Sequence, residues 1–203
     1  MNIGILISGR GSNMLAIVDA IGSGEIAGSE VAVVISDKIE AAGLGKARER
    51  GIKTSVIERS GRTRKVHDAE IIAELQKSEV ELVCLAGYMR LLSPEFIRSF
   101  PNRIVNIHPS LLPSFRGLDA QKQAVAYGVK VSGCTVHFVD EDLDNGAIIL
   151  QRTVEVLDDD TPETLSARIL EQEHEAYVEA VRRIAAKELK IDGRRTFWQK
   201  PDL

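Results

Sequence analysis

An amide and an imidazole stand two residues apart at the end of an apolar run, Ile104-Val105-Asn106-Ile107-His108, and the chain then turns through Pro109-Ser110-Leu111-Leu112-Pro113. In a strand, side chains alternate, so Asn106 and His108 project to one side while Ile107 points the other way, toward packing. Pro109 fixes its own φ, removes a backbone donor and favours extended geometry at His108, so the strand ends where the imidazole is displayed. An Asn donor beside a His suits a developing oxyanion, because the amide donates to it and a cationic imidazole both donates and supplies charge. That chemistry is acyl transfer. The plainer alternative is that the two side chains satisfy each other and a loop backbone at the rim of a sheet.

Such a pair needs a rigid platform, and the rest of the chain supplies one. The β-branched run at 3–7 reads as a strand buried on both faces, and 31–35, 54–57, 82–86, 133–138 and 147–151 read as further strands. Helices are predicted between them. Met14, Leu15, Ile17, Val18 and Ile21 recur at helical spacing before Gly22 and Gly24. Helices also follow over 41–50, over 65–77 with Ile71, Ile72 and Leu75 as the apolar face, from Ser93-Pro94-Glu95, up to Tyr127, and from Thr161-Pro162-Glu163 to about Ala186. Residues 58–64 read as a mobile loop and 189–198 as a terminal strand pair. The alternation implies an α/β fold with a mostly parallel central sheet flanked by helices.

The first strand opens into Ser8-Gly9-Arg10-Gly11-Ser12-Asn13, and amides at the following helix N-terminus favour an anion. A dinucleotide fingerprint would want a third glycine where Met14 stands, although Asp37 after the second strand could pass for the ribose-binding acid. A monophosphate held by Gly11, Ser12 and Asn13, with Arg10 nearby, needs less. A tight turn without a ligand is the remaining reading.

The 203 residues suit one domain, with a possible division into a phosphate-binding half, 1–100, and a catalytic half, 101–203. A net charge of −4 opposes a general nucleic-acid surface, which needs clustered Lys and Arg. Cys84 and Cys134 lie in apolar runs without metal-ligand spacing and are expected to be buried, reduced and structural. Met1-Asn2-Ile3 enters a strand without a basic leader, and no apolar run reaches spanning length, so a cytoplasmic protein is expected.

The string Asn-x-His-Pro-Ser-Leu-Leu-Pro at 106–113 resembles the signature of the formyltetrahydrofolate-dependent formyltransferase and hydrolase superfamily. The resemblance implies a Rossmann-like formyltransferase fold and a catalytic trio of Asn106, His108 and Asp144. The stretch Val136-His137-Phe138-Val139-Asp140-Glu141-Asp142-Leu143-Asp144-Asn145-Gly146 looks like the superfamily's folate loop, giving Asp140, Glu141, Asp142, Leu143 and Asp144 to the co-substrate. By the same resemblance Arg64 and Asn106 contact the folate, while Met89, Arg90, Leu91 and Leu92 line a pterin pocket. Glu173 is then expected to touch an amine-bearing substrate. Asp119 stands where some relatives carry His and is given no role; Leu170 replaces a residue that is polar in some relatives.

The loop Ser-Gly-x-Gly-Ser-Asn is similar to the phosphate loop of the superfamily's purine-pathway branch. It implies that Gly11, Ser12 and Asn13 hold the phosphate of glycinamide ribonucleotide and that 10-formyltetrahydrofolate supplies the formyl group. The formyl group arrives activated, so neither a metal nor a nucleoside triphosphate is expected. The expected partners are small molecules, with no nucleic acid and no membrane, and the chain is a monomer or a homodimer. Three other readings remain open: a hydrolase with water as acceptor, a formyltransferase of initiator tRNA, and a nucleotide-binding module that uses only the glycine loop. An additional N-terminal regulatory domain is expected in the hydrolase, and a C-terminal domain and a basic surface in the tRNA enzyme.

Overall fold

The computed structural model describes residues 1–198. The protein is α/β, with seven strands in a mostly parallel central sheet and a separate two-stranded sheet. The chain divides into two compact units, Met1–Asn106 and Ile107–Leu203.

In the first unit, β1 (Asn2–Ile7), β2 (Glu30–Ser36), β3 (Thr54–Val56), β4 (Leu82–Leu85) and the start of β5 (Ile104–His108) lie in the order β3-β2-β1-β4-β5, all parallel. Ile3, Ile5, Leu6 and Ile7 of β1 are fully buried, as a strand covered on both faces requires. The helices are α1 (Ser12–Gly22), α2 (Ala42–Glu49), α3 (Arg64–Lys77) and α4 (Pro94–Ser99). Each lies within about two residues of its predicted position.

Two details depart from the periodic reading. Arg64 opens α3, with Thr63 as N-cap accepting from Val66 N at 3.3 Å, instead of closing the preceding loop. The buried face of α3 is His67, Asp68, Ile71 and Leu75, while Ile72 is only half-buried. Residues 67, 71 and 75 are spaced four apart and share a face. Two polar side chains can stand there because each finds a backbone partner: His67 Nε2 donates to Ile57 O at 2.7 Å, and Asp68 Oδ2 accepts from Ser93 N at 2.6 Å. Ser93 in turn caps α4, accepting from Phe96 N at 3.3 Å, with Pro94 in the first turn.

In the second unit, β6 (Val131–Phe138) and β7 (Ile148–Glu155) form an antiparallel pair. α5 (Ala120–Tyr127) precedes them and α6 (Pro162–Ala185) follows, then β8 (Leu189–Asp192) pairs with β9 (Arg195–Trp198). α6 begins with a reciprocal capping box between Thr161 and Thr164 and Pro162 in its first turn. Its stripe Leu165, Ile169, Ala176, Tyr177, Ala180 and Val181 is fully buried. Such a stripe contributes on the order of 1.5–3 kcal/mol for each large side chain, which makes packing rather than intrinsic propensity the main support of this helix. Among the described residues, no helix is long and apolar enough to cross a membrane.

Candidate active site

β5 carries Asn106 half-buried and His108 buried, two positions apart on one strand, with Ile107 buried between them. Beyond the strand the loop is fastened at several points. Thr135 Oγ1 donates to Ser110 O at 2.6 Å and accepts from Leu112 N at 3.0 Å, while Gln151 Nε2 donates to Leu112 O at 2.9 Å. The loop that displays His108 is therefore held by β6 and β7 side chains, and Pro113 follows a cis bond.

His108 Nε2 lies 2.9 Å from the Phe115 carbonyl, which only accepts, so this nitrogen carries a proton. The other ring nitrogen, Nδ1, lies 3.4 Å from Asp144 Oδ2. The same carboxylate oxygen accepts from Gly117 N at 2.8 Å. Asp144 itself has a left-handed backbone, with φ of 46°, a conformation that Asp tolerates better than most residues. The expected pair of His108 and Asp144 is thus brought together within the second unit.

The acidic run before Asp144 is a turn closed on itself. Asp142 N donates to Asp140 Oδ1 at 3.1 Å, and Asn145 Nδ2 reaches both Asp140 Oδ2 and Asp142 Oδ2, at 3.3 and 3.4 Å. Glu141 and Leu143 are exposed on it. Among the described residues no group of three or more His, Cys, Asp or Glu is placed to hold a metal ion. Glu173 is buried on α6; burial, with the Glu173 charge adding to it, pushes the Cys134 thiol up to about 12, which leaves that cysteine an inert thiol. Both cysteines are buried and neither forms a disulfide among the described residues. Asp119 adopts φ of 56° at the N-cap of α5 without a side-chain cap, and Leu170 is half-buried.

In the first unit, Gly11 occupies the N-cap of α1 with φ of 72°. A Cβ there would lie 2.9 Å from Gly43 Cα, so both the backbone angle and the close approach of α2 require glycine. Ser12 and Asn13 begin the helix, whose first turn carries no acid, leaving the N-terminal amides in an environment that suits an anion. Lys46 Nζ sits 3.1 Å from Arg10 O on the same loop.

Also in this unit, Arg64, Met89, Arg90 and Leu91 line a cleft of about 220 Å³ together with Arg59, His67 and Asp68. Met89 and Leu91 are exposed apolar side chains, whereas Leu92 is turned into the core at 8% exposure. Asp37 does not stand open to a ribose: its carboxylate accepts from Ser8 Oγ at 2.6 Å and pairs with Arg90 Nε at 2.5 Å. Ser8 Oγ also accepts from Met89 N at 3.0 Å, so these groups fasten the segment that leaves β4.

Residue-by-residue reading gave no role to Phe115, Gly117 or His137, and it offered Asp37 only to a ribose. His137 lies on β6 with Nε2 3.8 Å from Asp144 Oδ1. Its alternation with Thr135 on one strand face was the available signal.

A loop-displayed imidazole against a carboxylate, on an α/β platform with a helix-terminal glycine loop, defines a chain that belongs to the formyl transferase family, whose model matches residues 1–181. The phosphoribosylglycinamide formyltransferase of Escherichia coli (strain K12) is 42% identical over 192 residues, covering 94% of this chain and 90% of that protein. The crystal structure of glycinamide ribonucleotide transformylase 1 from Symbiobacterium toebii is 50% identical with a TM-score of 0.97, covering 98% of this chain and 94% of that one. A trifunctional purine biosynthetic protein, adenosine-3 of Drosophila melanogaster, is 48% identical over 181 residues. The match takes in 88% of this chain but only 13% of that much longer protein.

Proposed function

We propose that the protein transfers the formyl group of 10-formyltetrahydrofolate to the primary amine of glycinamide ribonucleotide, giving the N-formyl ribonucleotide and tetrahydrofolate in purine synthesis. The observation that carries this reading is the His108–Asp144 pair in a chain so similar, over nearly its whole length, to glycinamide ribonucleotide transformylases. Gly11, Ser12 and Asn13 are assigned to the phosphate and Glu173 to the amine-bearing substrate. Arg64, Met89, Arg90, Leu91, Leu92 and Asn106 are assigned to the folate, as are Asp140, Glu141, Asp142, Leu143 and Asp144. The first-unit cleft suits a flat heterocycle with an anionic tail, since it presents Met89 and Leu91 as apolar surface beside Arg59 and Arg64.

The amine attacks the formyl carbon, and the carbonyl π electrons move to oxygen. Asn106 and protonated His108 stabilise that oxyanion, each donor lowering the barrier by about 3 kcal/mol. Because Nε2 is committed to Phe115 O, the proton shared with the oxyanion is the one on Nδ1, beside Asp144. Collapse of the intermediate breaks the bond to the folate nitrogen, which takes a proton, while the amine loses one; Asp144 organises a water for that exchange. The chain works as one formyltransferase domain in the cytoplasm, monomeric or homodimeric, on small molecules alone, without metal or nucleoside triphosphate.

Ultraviolet absorbance of a 10-formyl folate mixed with the purified protein tests the reading. Deformylation only in the presence of glycinamide ribonucleotide is expected; deformylation without it would place the chain with the hydrolases.

A further inference from the structure

The turn that joins the His108 loop to α5 is held by its carbonyls. Ser110 Oγ donates to Ser114 O at 2.5 Å and His108 Nε2 to Phe115 O at 2.9 Å. Gln123 Nε2 donates to Leu118 O at 2.8 Å and, more loosely, to Arg116 O at 3.4 Å. The backbone there requires such fastening. Phe115, Gly117 and Asp119 all have positive φ, of 52°, 80° and 56°, and for a side chain as bulky as phenylalanine that region is strained. A conformation of this kind persists only where its surroundings over-determine it.

Gln123 stands in the first turn of α5, a helix whose N-cap residue, Asp119, makes no side-chain cap. In place of a cap, a helical side chain reaches back to the turn. Both of its partners are carbonyls, so the amide nitrogen and not the oxygen faces them, and each of its two protons serves one carbonyl. The far end of the same helix holds the Phe115 ring, which meets Tyr127 edge-on with the ring centres 5.9 Å apart. Ring and carbonyls are thus tied separately, and loss of the amide alone leaves the turn folded but less firmly aimed.

Two backbone groups of that turn meet His108 and Asp144. Phe115 O accepts the Nε2 proton of His108, and Gly117 N donates at 2.8 Å to Asp144 Oδ2, the oxygen that lies 3.4 Å from His108 Nδ1. Arg116 O and Leu118 O, the carbonyls that Gln123 holds, flank Gly117 on either side. We propose that Gln123 is a positioning residue for the formyl transfer: by fixing the carbonyls on both sides of Gly117, it aims Gly117 N at the Asp144 carboxylate and Phe115 O at the His108 ring. The inference rests on the formyltransferase reading of the site. Gln123 acts only through the turn.

The test compares the full chain with two substitutions in the same ribonucleotide-dependent assay, alongside NMR hydrogen exchange at the Gly117 amide. Gln123→Met keeps length and helix propensity without a donor, and Gln123→Lys restores a donor on a similar stem. For Gln123→Met, kcat is expected to fall about tenfold or more, as misplaced reacting groups do, with both KM values within roughly threefold and Tm near wild type. The Gly117 amide is expected to exchange about tenfold faster in that variant, because its bond to Asp144 opens more often. Gln123→Lys is expected to recover most of both losses. Wild-type kcat in the folded Gln123→Met variant would overturn the proposal. So would a loss of kcat with Gly117 protection unchanged, or equal losses in both variants matched by a lowered Tm, since a merely structural role does that. If wild type itself transfers no formyl group to the ribonucleotide, the formyltransferase reading fails first, and exchange at Gly117 still decides whether Gln123 aims the turn.

Discussion

Asp144 Oδ2 lies 3.4 Å from Nδ1 of His108, while Phe115 O holds the opposite nitrogen at 2.9 Å. The imidazole is gripped at both ends by acceptors, one neutral and one acidic. An imidazolium satisfies both, which is the form an oxyanion-stabilising residue requires.

Removal of that ring is expected to reduce turnover far more than binding. For His108→Ala, steady-state kinetics should show kcat lower by about a hundred- to a thousandfold, with folate and ribonucleotide KM values changed only a few-fold. Near-wild-type kcat would remove His108 from the chemistry.

The glycine loop makes a separable prediction. At Gly11, φ of 72° and the 2.9 Å approach of Gly43 Cα penalise any side chain. The left-handed backbone alone costs about 1–2 kcal/mol in a non-glycine residue. Gly11→Ala is expected to raise the ribonucleotide KM about tenfold or more while leaving the folate KM near wild type, with some loss of Tm.

Arg64, exposed at the head of α3 and lining the cleft with Met89 and Leu91, makes the converse prediction. Arg64→Ala should raise the KM for the formyl folate by about tenfold, or ~1.4 kcal/mol, with the ribonucleotide KM unaffected. Equal effects on both substrates would contradict its assignment.

Stability should respond to pH through the start of α6. Arg168 grips Asp160 with both terminal nitrogens at 2.9 Å, and Asp160 also accepts from Leu157 N and Thr164 Oγ1. The hydrogen bond from Arg168 is the main cause that holds this carboxyl well below the usual carboxylate range. A depressed folded-state pKa gives stability that is fully present above the ordinary value of 3.8 and is lost as pH falls below it, toward the folded pKa. Asp160→Asn is expected to lower Tm at neutral pH and to leave a smaller deficit in strong acid, as read by thermal melts across pH.

Much of this was legible in the chain because its signals are local. The strand, glycine loop and helix at 2–22, the Ser93 and Thr161 caps and the Asn106–His108 alternation each depend on residues within a few positions of one another. The features that were not legible depend on distant partners. Burial of Asp68 needs the Ser93 amide 25 residues on. Commitment of Asp37 needs Ser8 and Arg90, 29 and 53 residues away. The acidic run could have been a solvated turn or an ion loop by composition, and only its internal bonds to Asn145 show which groups its carboxylates meet. His137 was hidden for another reason: the Asp144 carboxylate it faces is seven residues away, and the left-handed backbone that brings them together falls on Asp144 itself and not on Gly146.

The central claim is that the formyl group passes to an amine and not to water. A folate bearing an isotopically labelled formyl carbon, incubated with the protein and glycinamide ribonucleotide and followed by NMR, tests this most directly. The account predicts that the label appears in the formamide of the ribonucleotide product. Label recovered as free formate, with the ribonucleotide unchanged, would contradict it.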